Sequence, residues 1–466
     1  MFIVKKSFRK VALAGLLLGI TSTIMAQESA TQQKHHTLSP ELVQKIVTSV
    51  DSDTQRLQTI FKDIHQHPEL GFMEKRTAAI VAKELKALGY EVQTGIGKTG
   101  VVAIFKNGKG PVVMYRADMD ANAVKEATGL PYASKVHVKL SDGSTSPVGH
   151  LCGHDAHTTW LLSLAKTMMQ LKDQWSGTLV LVAQPAEELI EGATAMVKDG
   201  LYTKHKVPKP EYFLGLHTAP IPTGMVVGSG GLLEAGTEQL DVTFHGVGGH
   251  GSSPQYTKDP ILMATYAVAE YQAIVSRVLD PRDMGVITVG AFHAGTSNNI
   301  IPEDATLKLN FRFFSEQTHK QLYKGVKTIS NGIARTYGMP KDKLPTIVRK
   351  GYSSTLVNDE ALMKQLDKAL IDSTLVSQEH LVTKFTPATG SEDAQMLVHD
   401  LKNVKVAYLF VGTADPKLFK KAKEQGKEIP FANHNPNYQV DLNGIPFGAK
   451  VAAIITMQLL QKQAQK

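Results

Sequence analysis

One cysteine in 466 residues cannot close an internal disulfide, so packing and not cross-linking holds this chain together. Long apolar runs are missing too: beyond residue 26 none is long enough to span a bilayer. Glycine and proline stand at 38 and 21, and 42% hydrophobic against 20% charged residues is an ordinary globular balance. That balance excludes collagen-like, disordered and disulfide-scaffold chains. Repeats and low-complexity tracts are absent. The excess charge is modest at +8, and half of it sits in the first segment. There Lys5, Lys6, Arg9 and Lys10 precede the apolar stretch from Val11 to Ile20, and Ile24-Met25-Ala26 follows. A basic head, a short apolar middle and a small exit residue read as a secretory signal peptide over 1–26, an uncleaved anchor being the alternative. Cleavage leaves a net charge of +4, with nothing that asks for nucleic acid or a membrane. His35 and His36 read as tail residues.

Residues Leu42, Ile46, Val47 and Val50, then Leu57, Ile60, Phe61 and Ile64, recur at helical spacing and predict one long helix or two broken ones. Ala78 to Leu88 predicts another. Val101–Phe105 and Val112–Tyr115, with Asn107-Gly108-Lys109-Gly110 between, predict two strands joined as a hairpin. A helix from about Thr158, the buried strand Leu179–Ala183, a helix over Glu188–Val197 and the strand Tyr212–Leu216 give alternating α/β order. Past Gly224 the pattern changes. Leu240, Val242 and Phe244 alternate with polar residues, as do Leu307, Leu309, Phe311 and Phe313, and helices over 261–278 and up to Tyr337 accompany them. Beyond Pro345 come a helix from Asp359, the strand Val404–Val411 and a final helix over 448–460. The expected fold class is α/β: a large layered domain with a mixed sheet, interrupted by a smaller α+β lid. The expected divisions are 1–26 signal peptide, 27–224 first part of the catalytic domain, 225–343 lid, and 344–466 second part.

Chemistry-bearing residues gather at the ends of apolar strands, where open α/β sheets collect ligands. They are Arg116-Ala117-Asp118-Met119-Asp120, Gly149-His150-Leu151-Cys152-Gly153-His154-Asp155-Ala156-His157, Gln184-Pro185-Ala186-Glu187-Glu188, and Leu216-His217-Thr218, with Asn433-His434-Asn435 far downstream. Each has a bland reading: a lone histidine often only hydrogen-bonds, and paired glutamates suit a helix start. Cys152 alone is an inert core thiol, a nucleophile or a ligand. Packing alone does not explain all of them at one sheet edge. Thiolate, imidazole and carboxylate together are a transition-metal set, suited to Zn, Mn, Co or Ni. With two adjacent glutamates, one can hold metal while the other moves a proton between water and a leaving amine. The lid adds His250 in a glycine-rich loop, Asn299 in Thr296-Ser297-Asn298-Asn299-Ile300-Ile301-Pro302, and Arg312. Singly these read as a turn, a loop and a surface arginine. Together they read as a clamp for a carboxylate and an oxyanion.

In this order the motifs resemble the dinuclear metallo-amidohydrolases of metallopeptidase family twenty, in the branch of hippurate hydrolase, N-acyl-amino-acid amidohydrolases and auxin-conjugate hydrolases. The resemblance runs from His65-Gln66-His67-Pro68-Glu69-Leu70 to the C-terminus. It implies two divalent ions held by Cys152, His154, Glu188, His217 and His434, with Glu187 as general acid and base. It implies that His250, Asn299 and Arg312 bind the substrate carboxylate or the oxyanion, and that the lid mediates a homodimer or higher assembly in which His250 can serve the neighbouring site. Asp118, Asp120, Asp155 and His157 would stand behind the ligands, and Asp118 could itself be one. The sequence departs from the branch at Asn122-Ala123, at Leu189-Ile190 after the paired glutamates, and at Ala394-Gln395.

The expectation is an exported, periplasmic hydrolase that cleaves N-acyl amino acids or small dipeptide-like conjugates. A metallo-aminopeptidase or dipeptidase of the same superfamily is the nearest rival. A periplasmic solute-binding protein and a catalytically silent relative are more distant ones.

Overall fold

The structure is a computed structural model that describes residues 37–140 and 142–462. The expected signal peptide and the tail histidines His35 and His36 lie outside the described residues. No helix among the described residues is long and apolar enough to cross a membrane.

An eight-stranded mixed sheet forms the larger part. Its spatial order is Glu91–Ile96, Gly100–Asn107, Gly177–Gln184, Val112–Asp118, Tyr212–Pro222, Lys405–Ala414, Val226–Val227 and Leu381–Val382. The strands 177–184, 112–118, 212–222 and 405–414 run parallel and carry the buried centre. Side chains alternate between two cores, as the two-residue period of a strand requires. Tyr115, Leu181, Leu214 and Leu409 join one face, covered by the helices Pro40–Gln66, His154–Gln170 and Gly444–Leu460. Met114, Val180, Phe213 and Tyr408 join the other, covered by the helix Gly192–Lys198 and the turn Ala394–Leu397. Helices 154–170 and 444–460 approach closely at Gly448, where any Cβ would overlap the Trp160 indole. Truncating a fully buried indole of this kind costs ~3–5 kcal/mol.

The first helix is continuous, opened by Ser39, whose hydroxyl accepts from Leu42 N at 3.2 Å, with Pro40 at its first position. Two local expectations fail. The strands 100–107 and 112–118 are not a hairpin, because the strand 177–184 lies between them, antiparallel to the first and parallel to the second. Its unbroken apolar run is buried on both faces only in a central place. The hairpin partner of 100–107 is instead the largely exposed edge strand 91–96. The helix expected over Glu188–Val197 is also split. A 3-10 turn, Glu187–Leu189, ends at Ile190 in the left-handed region (φ 55), and the helix begins only at Gly192.

A four-stranded antiparallel sheet, ordered Gly285–Ala294, Asp304–Phe313, Gly236–His245 and Thr346–Ser353, builds the smaller part. Leu240, Val242, Phe244, Leu307, Phe311 and Phe313 face a separate core under the helices Pro260–Ala273 and Glu316–Thr336. The fourth strand comes from beyond residue 343, where the lid was expected to end. The opposite, half-exposed sheet face carries Gln239 and Arg312.

Candidate active site

Parallel strands end at one edge, and the chemistry begins there. Asp118 closes the 112–118 strand, Gln184 closes 177–184 and leads into Glu187 and Glu188, and His217 lies in 212–222 opposite Phe410. Cys152 and His154 flank Gly153 at the start of the 154–170 helix. Gly153 is required: its φ is +81, and a Cβ would stand 2.5 Å from Thr218 Oγ1. That hydroxyl donates to Cys152 O at 2.7 Å and pins the loop to the neighbouring strand. The two glutamates sit on a strained turn. Ala186 and Ile190, at φ 50 and 55, bracket them, and Ala186 N is held by Glu74 Oε1 at 2.8 Å. Left-handed backbone at a β-branched residue persists only where its surroundings enforce it.

All five expected ligands converge. Cys152 Sγ lies 3.5 Å from His217 Nε2, and His434 Nε2 lies 3.2 Å from Glu188 Oε1. His154 Nε2 stands 3.7 Å from Glu188 Oε1 and 3.8 Å from Glu187 Oε2, and donates to neither. Two trios, Cys152–His154–His217 and Cys152–Glu188–His434, each keep their donor atoms within 4.8 Å of one another, with the sulfur common to both. His154 Nε2 is buried without a hydrogen bond, and Glu188 Oε1 is buried with only ion-pair contacts to imidazoles. Orphaned polar atoms of this kind, in a sulfur, imidazole and carboxylate set, fit a divalent transition ion. The backs of the ligands are fixed. His217 Nδ1 donates to Thr218 O at 2.7 Å, which frees Nε2 as a lone pair for the site. Asp120 meets His154 Nδ1 at 3.2 Å through one oxygen and accepts from Glu188 N at 3.0 Å through the other.

The remaining expected residues divide. Asp118 spends one oxygen on His157 Nδ1 at 2.6 Å and the other on Arg116 Nη1 at 2.7 Å, and that second oxygen lies 3.7 Å from His154 Nε2. His157 accepts from Thr218 N at 2.8 Å, which uses its second nitrogen. Asp155 turns away, to His65 Nδ1 at 2.6 Å and to Ala156 N, and bonds none of the five ligands. Arg312 lines the cavity, with its guanidinium bonded to Asn310 and Ser391. His250 and Asn299 do not line it. They sit exposed around a short ladder in which Gly249–His250 pairs with Ile300–Ile301 and Gly251 N donates to Asn299 O at 2.9 Å.

Charge at the site follows from burial. Burial pushes the Cys152 thiol up, but the His217 and His154 imidazoles together outweigh it and bring the group down to about 6. Burial, with Glu392 and Glu188 beside it, holds the Glu187 carboxyl well above the usual carboxylate range. Burial also raises Glu234 to about 7. The cavity, about 520 Å³, runs from Cys152, Glu187, Glu188, His217 and His434 along Phe385 and Phe410 to Glu234 and Arg312. Phe385, Phe410 and Glu234 are missed by sequence reasoning: each reads as one more strand or loop residue, and only the fold brings them to the site.

Residues 114–457 match peptidase family M20/M25/M40. The chain belongs to that family. As an M20 hydrolase it is 39% identical to the hippurate hydrolase of Campylobacter jejuni over 307 residues, covering 66% of this chain and 76% of that one. It is 34% identical to an IAA-amino acid hydrolase of Arabidopsis thaliana, over 87% of this chain and 86% of the other. Among solved structures, a putative aminohydrolase from methicillin resistant Staphylococcus aureus superposes with a TM-score of 0.75. That chain is 28% identical, and the match covers 90% of this chain and all of the other.

Proposed function

We propose that this M20 hydrolase cleaves the amide of N-acyl amino acids or similar small conjugates, with Glu187 as the proton carrier. The observation that carries the reading is the position of that carboxyl. It is buried, lines the cavity and lies 3.8 Å from His154 Nε2, at the edge of the donor cluster. Its raised affinity for protons suits a group that takes one from the attacking water and gives it to the leaving nitrogen. Cys152, His154, Glu188, His217 and His434 would hold two divalent ions, which would supply carbonyl polarisation and acidification of water. Arg312 orients the substrate carboxylate, and the apolar walls at Phe385 and Phe410 exclude water from the acyl group. The hydrolase and IAA-conjugate relatives support this substrate class.

The first 26 residues make the mature enzyme an exported one, in the periplasm. The lid supports a homodimer: its edge strand 285–294 and helix 260–273 expose Phe292, Ile261, Leu262 and Tyr266. Exposed His250, which does not line its own cavity, is free to reach a neighbour's.

Glu187→Gln tests the core of the reading. The variant binds metal as the wild type does, and kcat on N-benzoylglycine falls by ~10³-fold or more, within the range for loss of a general base. Metal retained with unimpaired hydrolysis removes Glu187 from the chemistry.

A further inference from the structure

One group in the cavity has no part in the chemistry described. Glu234 ends the short strand Gly231–Glu234 beside the 388–390 segment, where Ala235 N donates to Ala388 O at 3.0 Å. A Cβ placed on Gly390 would stand 2.9 Å from Glu234 Oε1. The side chain is 9% exposed and lines the cavity, yet it makes no hydrogen bond or ion pair among the described residues. Across Gly390 and Ser391 lies Arg312, whose Nε and Nη1 are engaged by Asn310 and Ser391 while Nη2 donates to no described acceptor. The two side chains form no ion pair with each other.

A buried carboxyl without a donor is expensive, and the apolar wall of Phe385, Phe410, Ile221 and Val227 offers none. Opposite charges held apart on one wall are satisfied together by a ligand that carries both signs a few bonds apart. We propose that the cavity selects substrates whose released amino acid has a cationic side chain, with Arg312 taking the α-carboxylate and Glu234 the side-chain ammonium or guanidinium. The acyl group then occupies the Phe385–Phe410 side. This selection rests on the amidohydrolase reading above and adds the class of amino acid to it.

The test compares N-acetyl-L-lysine with N-acetyl-L-norleucine, the same chain length without the charge, on wild type and Glu234→Gln loaded with Mn, Zn, Co or Ni. Wild-type kcat/KM favours the lysine substrate by ~10-fold or more, the value of a charge-assisted hydrogen bond in a water-poor pocket. In Glu234→Gln that ratio falls by ~10-fold, chiefly through KM. A wild type that prefers norleucine, or a ratio unchanged by Glu234→Gln, overturns the proposal. Calorimetry with free L-lysine and L-norleucine on the metal-loaded protein reads the charge selection without turnover. Lysine bound more tightly by wild type but not by Glu234→Gln, with no acyl amino acid hydrolysed, supports Glu234 and sinks the amidohydrolase reading. Equal binding of the two by wild type overturns the selection itself.

Discussion

Asp120 is buried and does not line the cavity, yet its replacement by asparagine should disable the metal site. One of its oxygens faces His154 Nδ1 at 3.2 Å and the other accepts from Glu188 N at 3.0 Å. A carboxylate satisfies two donors; an amide of the same shape satisfies only one. If the Asn oxygen serves Glu188 N, its NH2 faces His154 Nδ1, which must then accept. The ring proton moves to Nε2, the atom that points into the donor cluster, and the ligand lone pair is lost. If the oxygen serves His154, the NH2 opposes Glu188 N, and the turn that aims Glu188 loses its anchor. The first case keeps both hydrogen bonds and costs the tautomer; the second breaks one buried hydrogen bond, worth ~1–3 kcal/mol. The expected result is a ~10–100-fold loss in metal affinity. Chelator competition on Asp120→Asn measures it, and circular dichroism checks that the fold persists. A metal affinity within about two-fold of wild type would show that Asp120 does not orient the ligands, against the usual cost of removing such a partner.

Three further outcomes can be checked by denaturant melts. Ile190→Gly relieves left-handed strain of ~1–3 kcal/mol while losing ~2 kcal/mol of side-chain burial, so stability should change by less than about 1.5 kcal/mol; a much larger loss refutes the strain. Gly153→Ala, with φ +81 and a Cβ against Thr218 Oγ1, should destabilise by about 2 kcal/mol or more, and a neutral change would refute the tight packing of that loop. Burial opposes charge on His65, but Asp155 and Glu126 outweigh it and raise its pKa to about 9. Because the folded value lies above the unfolded one, this stabilisation is whole below about pH 6.5 and is lost as pH rises through 9. Over that window the advantage of wild type over His65→Gln should shrink by about 3 kcal/mol at fixed free metal; parallel curves would refute it.

The donor cluster was readable in the sequence because its chemistry is independent of neighbours. Sulfur, imidazole and carboxylate at strand ends keep their meaning whatever packs around them, and all five converge. The order of strands was not readable. The glycine-rich turn at 107–110 carries a hairpin's local signal, but burial of the run Leu179–Ala183 on both faces decides which strand lies beside which, and that is a non-local demand. The break at Ile190 was hidden for the same reason. A β-branched residue carries no signal for left-handed backbone, and only the surrounding contacts impose it. Glu234 left no mark at all, since its significance is the absence of a partner among the described residues in three dimensions.

The four-stranded sheet and the donor cluster share one buried network, and its charge balance ties the two together. Ser353, at the end of the strand Thr346–Ser353, donates to Glu392 O at 2.5 Å. Glu392 accepts from Arg116 Nη2 at 2.8 Å, and Arg116 Nη1 donates to Asp118, which holds His157 against Thr218. Arg116, Asp118 and Glu392 are all buried. A single guanidinium among several carboxyls is tolerable only if some carry protons, and burial next to Glu392 does raise Asp393 to about 8. That acid accepts from Gln184 and from Ala193 N, and so fixes the strand end from which Glu187 and Glu188 depart. Removing one member of such a set leaves an uncompensated buried charge, at ~3–5 kcal/mol. The end of the 346–353 strand, the ends of the parallel strands and the paired glutamates therefore hold one arrangement between them.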